Sequence, residues 1–543
     1  MECDVKLAGG EVVDGTGVPA ARADVAITGD VIAAVGDLRD VEAPVVLDCT
    51  GKTITPGFID IHSHADWLLP GAGHGALLEP FIRQGMTSLV GGNCGFSPAP
   101  LTDVNREFAR EASRLMLDND LQIRWNSMAE FLAVLEHDGV ALNVAELVGH
   151  GTVRAAVTGL LNMAVPNADE LKSMERLIGE ALDAGCIGVS TGLGYPPGIF
   201  SAEDELAQFA RWAQRQGKLF TSHVKAYSWI SGVYTSDATT EAHNITAIKE
   251  VLRVAQLTGV QVQISHLIFV GSQTWPSCAA ALAMIEQARR DGVDVAFDAF
   301  PYTAGNTTAS VIFPPPLLPR LEEVLENAEE RTNLRNFAES VFSALGFGLA
   351  DIQIMKANAP RFDRLDGLRI TEAAARAGMD PFEFYCRLVI DSNRAARVLI
   401  HTYSGSDDGE ESALQAVLRH PLCTIETDTI IARDGHQNPA SYGTFPRVLS
   451  TYVNAGLFTF EQAVHKMTGA AAERLRWKDR GWVRHGCAAD LVVLDRARLH
   501  DTATFDEPAR FPTGIEHVFI NGRHVVDGDR YDSTAHAGRV LRR

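Results

Sequence analysis

The pattern of apolar and polar positions gives the two ends of the chain one texture and its middle another. The first 55 residues carry short apolar-rich runs broken by turn signals. Asp24-Val25-Ala26-Ile27-Thr28 stops at Gly29-Asp30, and Val31-Ile32-Ala33-Ala34-Val35 stops at Gly36-Asp37. The C-terminal end is similar. Ala489 to Leu494 and Val518 to Arg523 read as strands, the second opening a hairpin at Asn521-Gly522. Two β-rich ends predict one small β domain built from residues 1–56 and 480–543.

Between them, apolar runs at 57–64, 86–93, 143–151, 186–193, 218–225, 262–268, 295–302 and 423–429 alternate with segments of helical period. One such segment, Glu203 to Gln216, follows Ser201, with Asp204 as its capping-box-like partner, and stops at Gly217. Strand–helix alternation repeated eight times predicts an α/β fold, a (β/α)8 TIM-type barrel over residues 57–479. The stretch from about 303 to 422 is too long for one crossover. It holds Phe313-Pro314-Pro315-Pro316 and an acidic helix from Leu321 to Arg331, and reads as an insertion, a candidate lid over the barrel mouth.

Composition narrows the function classes. The 543 residues are 46% hydrophobic and 22% charged, an ordinary globular balance. A net charge of -21 argues against a nucleic-acid phosphate backbone as partner. No run approaches the roughly 20 apolar residues of a membrane span. Met1-Glu2-Cys3-Asp4 has neither the basic region nor the apolar core of a secretory signal. The eight cysteines are scattered without CxxC pairs, which argues against a disulfide framework, so a cytoplasmic location is the expectation. The oligomeric state is not legible.

Chemistry gathers at the ends of the predicted strands, where a barrel carries its active site. Strand 1 ends in His62-Ser63-His64, and residues i and i+2 of a strand project to one side, so both imidazoles can meet at one point. Strand 2 ends in Gly91-Gly92-Asn93-Cys94-Gly95, strand 3 in Gly149-His150-Gly151, strand 5 in Ser222-His223-Val224-Lys225, strand 6 in Ser265-His266, strand 7 in Pro301-Tyr302 and strand 8 in Glu426-Thr427-Asp428. The candidate metal ligands are thus His62, His64, Cys94, His223 and His266, with Asp428 as a carboxylate beside them. Nitrogen, sulfur and carboxylate donors together favour zinc, and Asp428 is placed to take a proton from an activated water. His150 reads equally as a structural hydrogen-bonding group or a substrate contact, and Lys225 as a solvated charge or a substrate contact.

These stretches resemble the amidohydrolase superfamily and, within it, the N-acyl-D-amino-acid deacylases (D-aminoacylases). The similar segments are PGFIDIHSHAD, GGNCGFSPAP, NVAELVGHGTVR, GVSTGLGYPPG, FTSHVKA, QISHL, DAFPYTAG, YGTFPRVL and RGWVRHGCAADLVVLD, in order along nearly the whole chain. The resemblance implies a (β/α)8 barrel with a small β-sandwich domain formed by both chain ends, and zinc-dependent hydrolysis of a small-molecule N-acyl amide. It assigns the tightly held zinc to Cys94, His223 and His266, and a second, weaker metal position sharing Cys94 to His62 and His64. It makes Asp428 the catalytic acid/base and Tyr302 a substrate contact.

Three departures qualify it. The family's lysine two residues after the strand-6 histidine is Ile268 here, its arginine before YGTFPRVL is Ala440, and its Ser-Asp-Gly is Thr427-Asp428-Thr429. Both missing cations hold the substrate carboxylate in the family, and a buried carboxylate without cationic partners is costly. The expectation is therefore a substrate other than an ordinary N-acyl-D-amino acid, unless Lys225 supplies the lost charge. The alternatives are a true N-acyl-D-amino-acid deacylase, a cyclic-amide hydrolase, a single-metal deaminase, and an inactive amidohydrolase-like binding protein. No lysine stands at the strand-4 end to be carboxylated, and Val224-Lys225-Ala226 offers no glutamate shuttle, which disfavours the second and third.

Overall fold

The computed structural model describes residues 2–543 apart from 108, 111, 113–120, 235–240, 407 and 408. All eight predicted barrel strands form: β1 (Phe58–Asp60), β2 (Met86–Gly91), β3 (Asn143–Gly149), β4 (Gly188–Gly192), β5 (Leu219–His223), β6 (Gln261–Ile264), β7 (Val295–Ala299) and β8 (Cys423–Ile425). They lie side by side in chain order as one parallel sheet. With helices packed outside and side chains filling the inside, nearly every strand position is buried. This is why these strands read as continuous apolar runs rather than alternating ones.

The seam between β1 and β8 is joined by side chains and loop backbone. Thr427 donates its N–H and hydroxyl to the Asp60 carboxylate at 3.1 and 2.7 Å, and the Asp428 N–H reaches the His62 carbonyl at 3.1 Å. The barrel is nearly closed, and the closure itself draws the ends of strands 1 and 8 together.

The two chain ends meet in a nine-stranded mixed sheet. Leu491–Leu494 pairs antiparallel with Thr53–Pro56, which continues through Gly57 into β1. The hairpin turn falls at Asn521-Gly522, whose φ values of 47° and 78° are the left-handed pair that a two-residue hairpin requires. Between β7 and β8, Gly305–Thr308, Arg397–Ile400 and Ile352–Lys356 form a three-stranded antiparallel sheet. Helices cover it with a hydrophobic core of their own around Phe362, Phe384 and Tyr385.

Two local expectations are corrected. The helix Glu203–Arg215 is preceded by Ala202, without a side-chain cap; Ser201 instead donates its hydroxyl to Glu205 at 3.2 Å. The acidic helix does not run from Leu321 to Arg331. It ends at Glu326, and a new one, Ala328–Leu345, begins because the Asn327 side chain accepts the N–H groups of Glu329 and Glu330. Among the described residues, no helix is long and apolar enough to cross a membrane.

Candidate metal centre

The six candidate donors converge at the C-terminal ends of the strands, with the Cys94 thiol in their midst. Cys94 Sγ lies 3.2 Å from His62 Nε2, 3.4 Å from His266 Nε2 and 3.7 Å from His223 Nδ1. His223 Nδ1 and His266 Nε2 are 2.9 Å apart. Asp428 Oδ1 stands 3.5 Å from Nε2 of both His62 and His64. The donor atoms of His62, Cys94, His266 and Asp428 all lie within 4.8 Å of one another. Ligands held about 2.0–2.3 Å from a tetrahedral ion sit about 3.3–3.8 Å apart; the Cys94–His266, Cys94–His223 and Asp428–histidine separations fall in that range, and the His223–His266 pair is tighter at 2.9 Å.

The backbone bends sharply to achieve this. Cys94, His266 and Asp428 occupy the left-handed region, with φ of 55°, 32° and 41°. Such conformations cost free energy in non-glycine residues and persist only where surrounding structure enforces them. The loop around Cys94 is enforced by close packing. A Cβ on Gly95 would stand 2.6 Å from the Gly192 nitrogen, and one on Gly92 would stand 2.0 Å from the Leu147 carbonyl, so both need glycine.

A second layer orients the donors. Asp298, at the end of β7, accepts the His266 N–H at 2.6 Å and faces His62 Nδ1 at 3.3 Å. A carboxylate on the far nitrogen of an imidazole fixes its tautomer and raises its basicity towards a metal. Tyr195 donates its hydroxyl to the Cys94 carbonyl at 2.8 Å and lays its ring against His223. Tyr227 packs against both His223 and His266. Asn306, from the insertion, donates to the Asp428 carbonyl at 2.6 Å. Sequence reasoning did not single out these four. Tyr195 lies within GVSTGLGYPPG and Asp298 within DAFPYTAG, but nothing local tells a second-layer group from a core residue.

The electrostatics fit a cation. Burial alone would push the Cys94 thiol up, yet His62 and His266 outweigh it and hold the thiol well below its ordinary range. Burial opposes charge on His62 and His64 as well, and nearby anions reverse the effect. Cys94 and Asp298 hold His62 well above the usual histidine value, and Asp428 and Cys94 raise His64 to about 10. At His223 burial prevails and the pKa falls. The cluster thus sets a thiol and a carboxyl, both held towards their charged forms, among buried imidazoles, a donor set whose charge a divalent ion would balance.

The other three candidates have protein partners. His150 Nε2 pairs with Glu205 at 2.9 Å, while its buried Nδ1 lacks a hydrogen bond. Lys225 Nζ is ion-paired with Glu250 at 3.1 Å. Tyr302 donates its hydroxyl to Asp501 at 2.9 Å, under the Arg447 guanidinium. Ile268 and Ala440, at the positions of the missing cations, are 7% and 0% exposed.

A barrel with imidazole, thiolate and carboxylate donors at its mouth defines a metal-dependent hydrolase scaffold. The chain belongs to the amidohydrolase family, whose model it matches over residues 45–332 and 394–526. It is 35% identical to the N-acyl-D-glutamate deacylase of Alcaligenes xylosoxydans xylosoxydans, across 99% of this chain and 96% of that one. Among solved structures, the N-acyl-D-glutamate deacylase of Bordetella bronchiseptica, complexed with zinc and a phosphonate mimic of the tetrahedral intermediate, matches with a TM-score of 0.82. That match has 31% identity and covers both chains completely. A D-aminoacylase described for its binuclear metal centre, with one-metal activation and second-metal attenuation, matches at 0.81 and 32% identity, again over both whole chains.

Proposed function

We propose that this chain is a zinc-dependent hydrolase of a linear N-acyl amide, acting on a substrate other than an ordinary N-acyl-D-amino acid. The observation that carries the reaction class is the convergence of one thiolate, four imidazoles and one carboxylate at the barrel mouth. Cys94, His223 and His266 would hold the zinc, with His62 and His64 at a second, weaker position, and a bound zinc would supply Lewis-acid polarisation and an acidified water.

The rest falls to the protein. The Asp428 side chain is 17% exposed, against 1% for His62 and 8% for His64, so it can meet solvent and substrate. Burial works to raise its pKa, but His266, His64 and His62 together bring it below the usual carboxylate value, leaving it ionised. It accepts the attacking water's proton and delivers it to the leaving nitrogen as the C–N bond breaks. Asn306 and the backbone link to His62 fix the Asp428 main chain while this occurs.

The restriction on substrate comes from charge. Where the resemblance places a lysine and an arginine, this chain buries Ile268 and Ala440, and Glu250 already neutralises Lys225. A free carboxylate bound there would lie desolvated without a partner. A neutral group at that end of the amide suits the site better. The second reading, a true N-acyl-D-amino-acid deacylase, is favoured by the end-to-end identity to such enzymes. Zinc-loaded protein assayed on paired N-acyl amides, with and without a free carboxylate, separates the two. Faster turnover of the neutral member supports the proposal, and efficient hydrolysis of N-acetyl-D-methionine refutes the narrowing of substrate while leaving the reaction class intact.

A further inference from the structure

The C-terminal hairpin carries a separate convergence of donors. Strands Ile515–Ile520 and Arg523–Asp527 pair antiparallel with His517 opposite Asp527, Val518 opposite Val526, Phe519 opposite His524 and Ile520 opposite Arg523. The register skips Val525. Side chains alternate along a regular strand, so His524 and Asp527, three apart, would point to opposite faces. The bulge removes that conflict and turns Asp527 to the face of His517 and His524. Val525 and Val526 are both buried in consequence, at 3% and 1% exposure.

The His524 ring lies flat on Phe519, with centroids 4.4 Å apart and planes inclined by 12°. This packing leaves its Nε2 3.2 Å from His517 Nδ1, which is itself 3.2 Å from Asp527 Oδ1. All three donor atoms fall within 4.8 Å of one another. One proton on His517 Nδ1 can satisfy only one of its two neighbours, whereas an ion at the centre satisfies all three. Two nitrogen or oxygen ligands of a tetrahedral zinc stand about 3.3–3.4 Å apart, close to both separations.

We propose that His517, His524 and Asp527 form a further zinc site, with three protein ligands and the fourth position open to solvent. The Asp527 side chain is 57% exposed, so ions reach it freely. Lys52, the nearby cation, is paired with Glu516. A bound ion ties the two strands across the bulge.

The test is equilibrium dialysis of zinc-loaded, desalted enzyme against added zinc. Wild type takes up one ion more per chain than His524→Ala, and Asp527→Asn weakens that uptake at least tenfold, with amidase activity retained in both. Should His524→Ala fail to fold, Asp527→Asn decides, since it alters an exposed side chain isosterically. Cobalt added to the zinc-loaded enzyme gives a d–d spectrum without a thiolate charge-transfer band. Equal uptake by wild type and Asp527→Asn, or a thiolate band placing the extra ion at Cys94, overturns the proposal.

Discussion

Replacing Asp428 by asparagine tests the catalytic assignment most directly. The substitution preserves shape, and the main-chain anchors of the residue, its N–H to the His62 carbonyl and its carbonyl to Asn306, do not involve the side chain. The fold and the strained backbone at φ 41° should therefore survive. What disappears is a charge and a proton acceptor 3.5 Å from two imidazole nitrogens. One positioned acid or base contributes roughly 10²–10⁴-fold to a rate. Asp428 serves first as base and then as acid, so the upper part of that range applies, about 10³–10⁴ in kcat, or about 4–5.5 kcal/mol of barrier. Zinc content should hold, because Cys94 and four imidazoles remain. The assay is amine release under saturating substrate, with metal measured by atomic emission on the same samples. A loss below about tenfold with zinc intact would falsify the general acid/base role. A large loss accompanied by loss of zinc would show that Asp428 acts mainly as a ligand.

Glu205→Gln should cost roughly 3–5 kcal/mol, because it strands the wholly buried Arg154 and removes the partner of His150; thermal inactivation measures this. The pH dependence has a definite sign. Burial tends to raise the Glu205 pKa, but His150 and Arg154 outweigh it and leave it below 4.5, so the stabilisation is full above the unfolded pKa and is lost as pH falls through the folded one. Wild type should therefore lose stability on the acid side of 4.5 more steeply than the variant, and parallel curves would contradict the pairing. Ile268→Lys combined with Ala440→Arg should raise kcat/KM for free-carboxylate N-acyl-D-amino acids about 10–100-fold relative to neutral amides, the worth of one charged hydrogen bond; an unchanged ratio removes the argument from the missing cations. Chelation should abolish activity and leave one fast-reacting thiol, Cys94, whose pKa is depressed while burial raises that of Cys49, Cys186, Cys278, Cys386 and Cys423. Zinc should protect it from iodoacetamide, and alkylation spread over several cysteines would count against the assignment.

The legible and illegible parts of this molecule divide on a physical line. The barrel strands could be read because a strand buried on both faces must be apolar throughout, and its abrupt polar end then marks the barrel mouth. His62, His64, Cys94, His223, His266 and Asp428 each follow such an end, and barrel closure brings such ends to one rim. The helix break at Asn327 was missed because the residue's side chain caps a new helix inside a stretch of continuous helical propensity. Long-range partners left no trace at all. Lys225 meets Glu250, His150 meets Glu205 across 55 residues, and Tyr302 meets Asp501 across 199, separations that no periodicity encodes.

The bulge at Val525 shows the same limit from the other side. A period-two reading outward from the Asn521-Gly522 turn assigns His517 and His524 to one face and Asp527 to the other, which dissolves the donor set before it can be noticed. Only the pairing register, a property of two strands together, restores it. Donors that a topology must bring together can thus be inferred from one strand at a time, as at the barrel mouth. Donors that a register irregularity brings together cannot. Deleting the irregularity tests the face argument directly. Removing Val525 should leave His524 and Asp527 two apart on the face of His517 in an unbroken ladder, so the extra zinc uptake should persist, and its loss would count against the hairpin site.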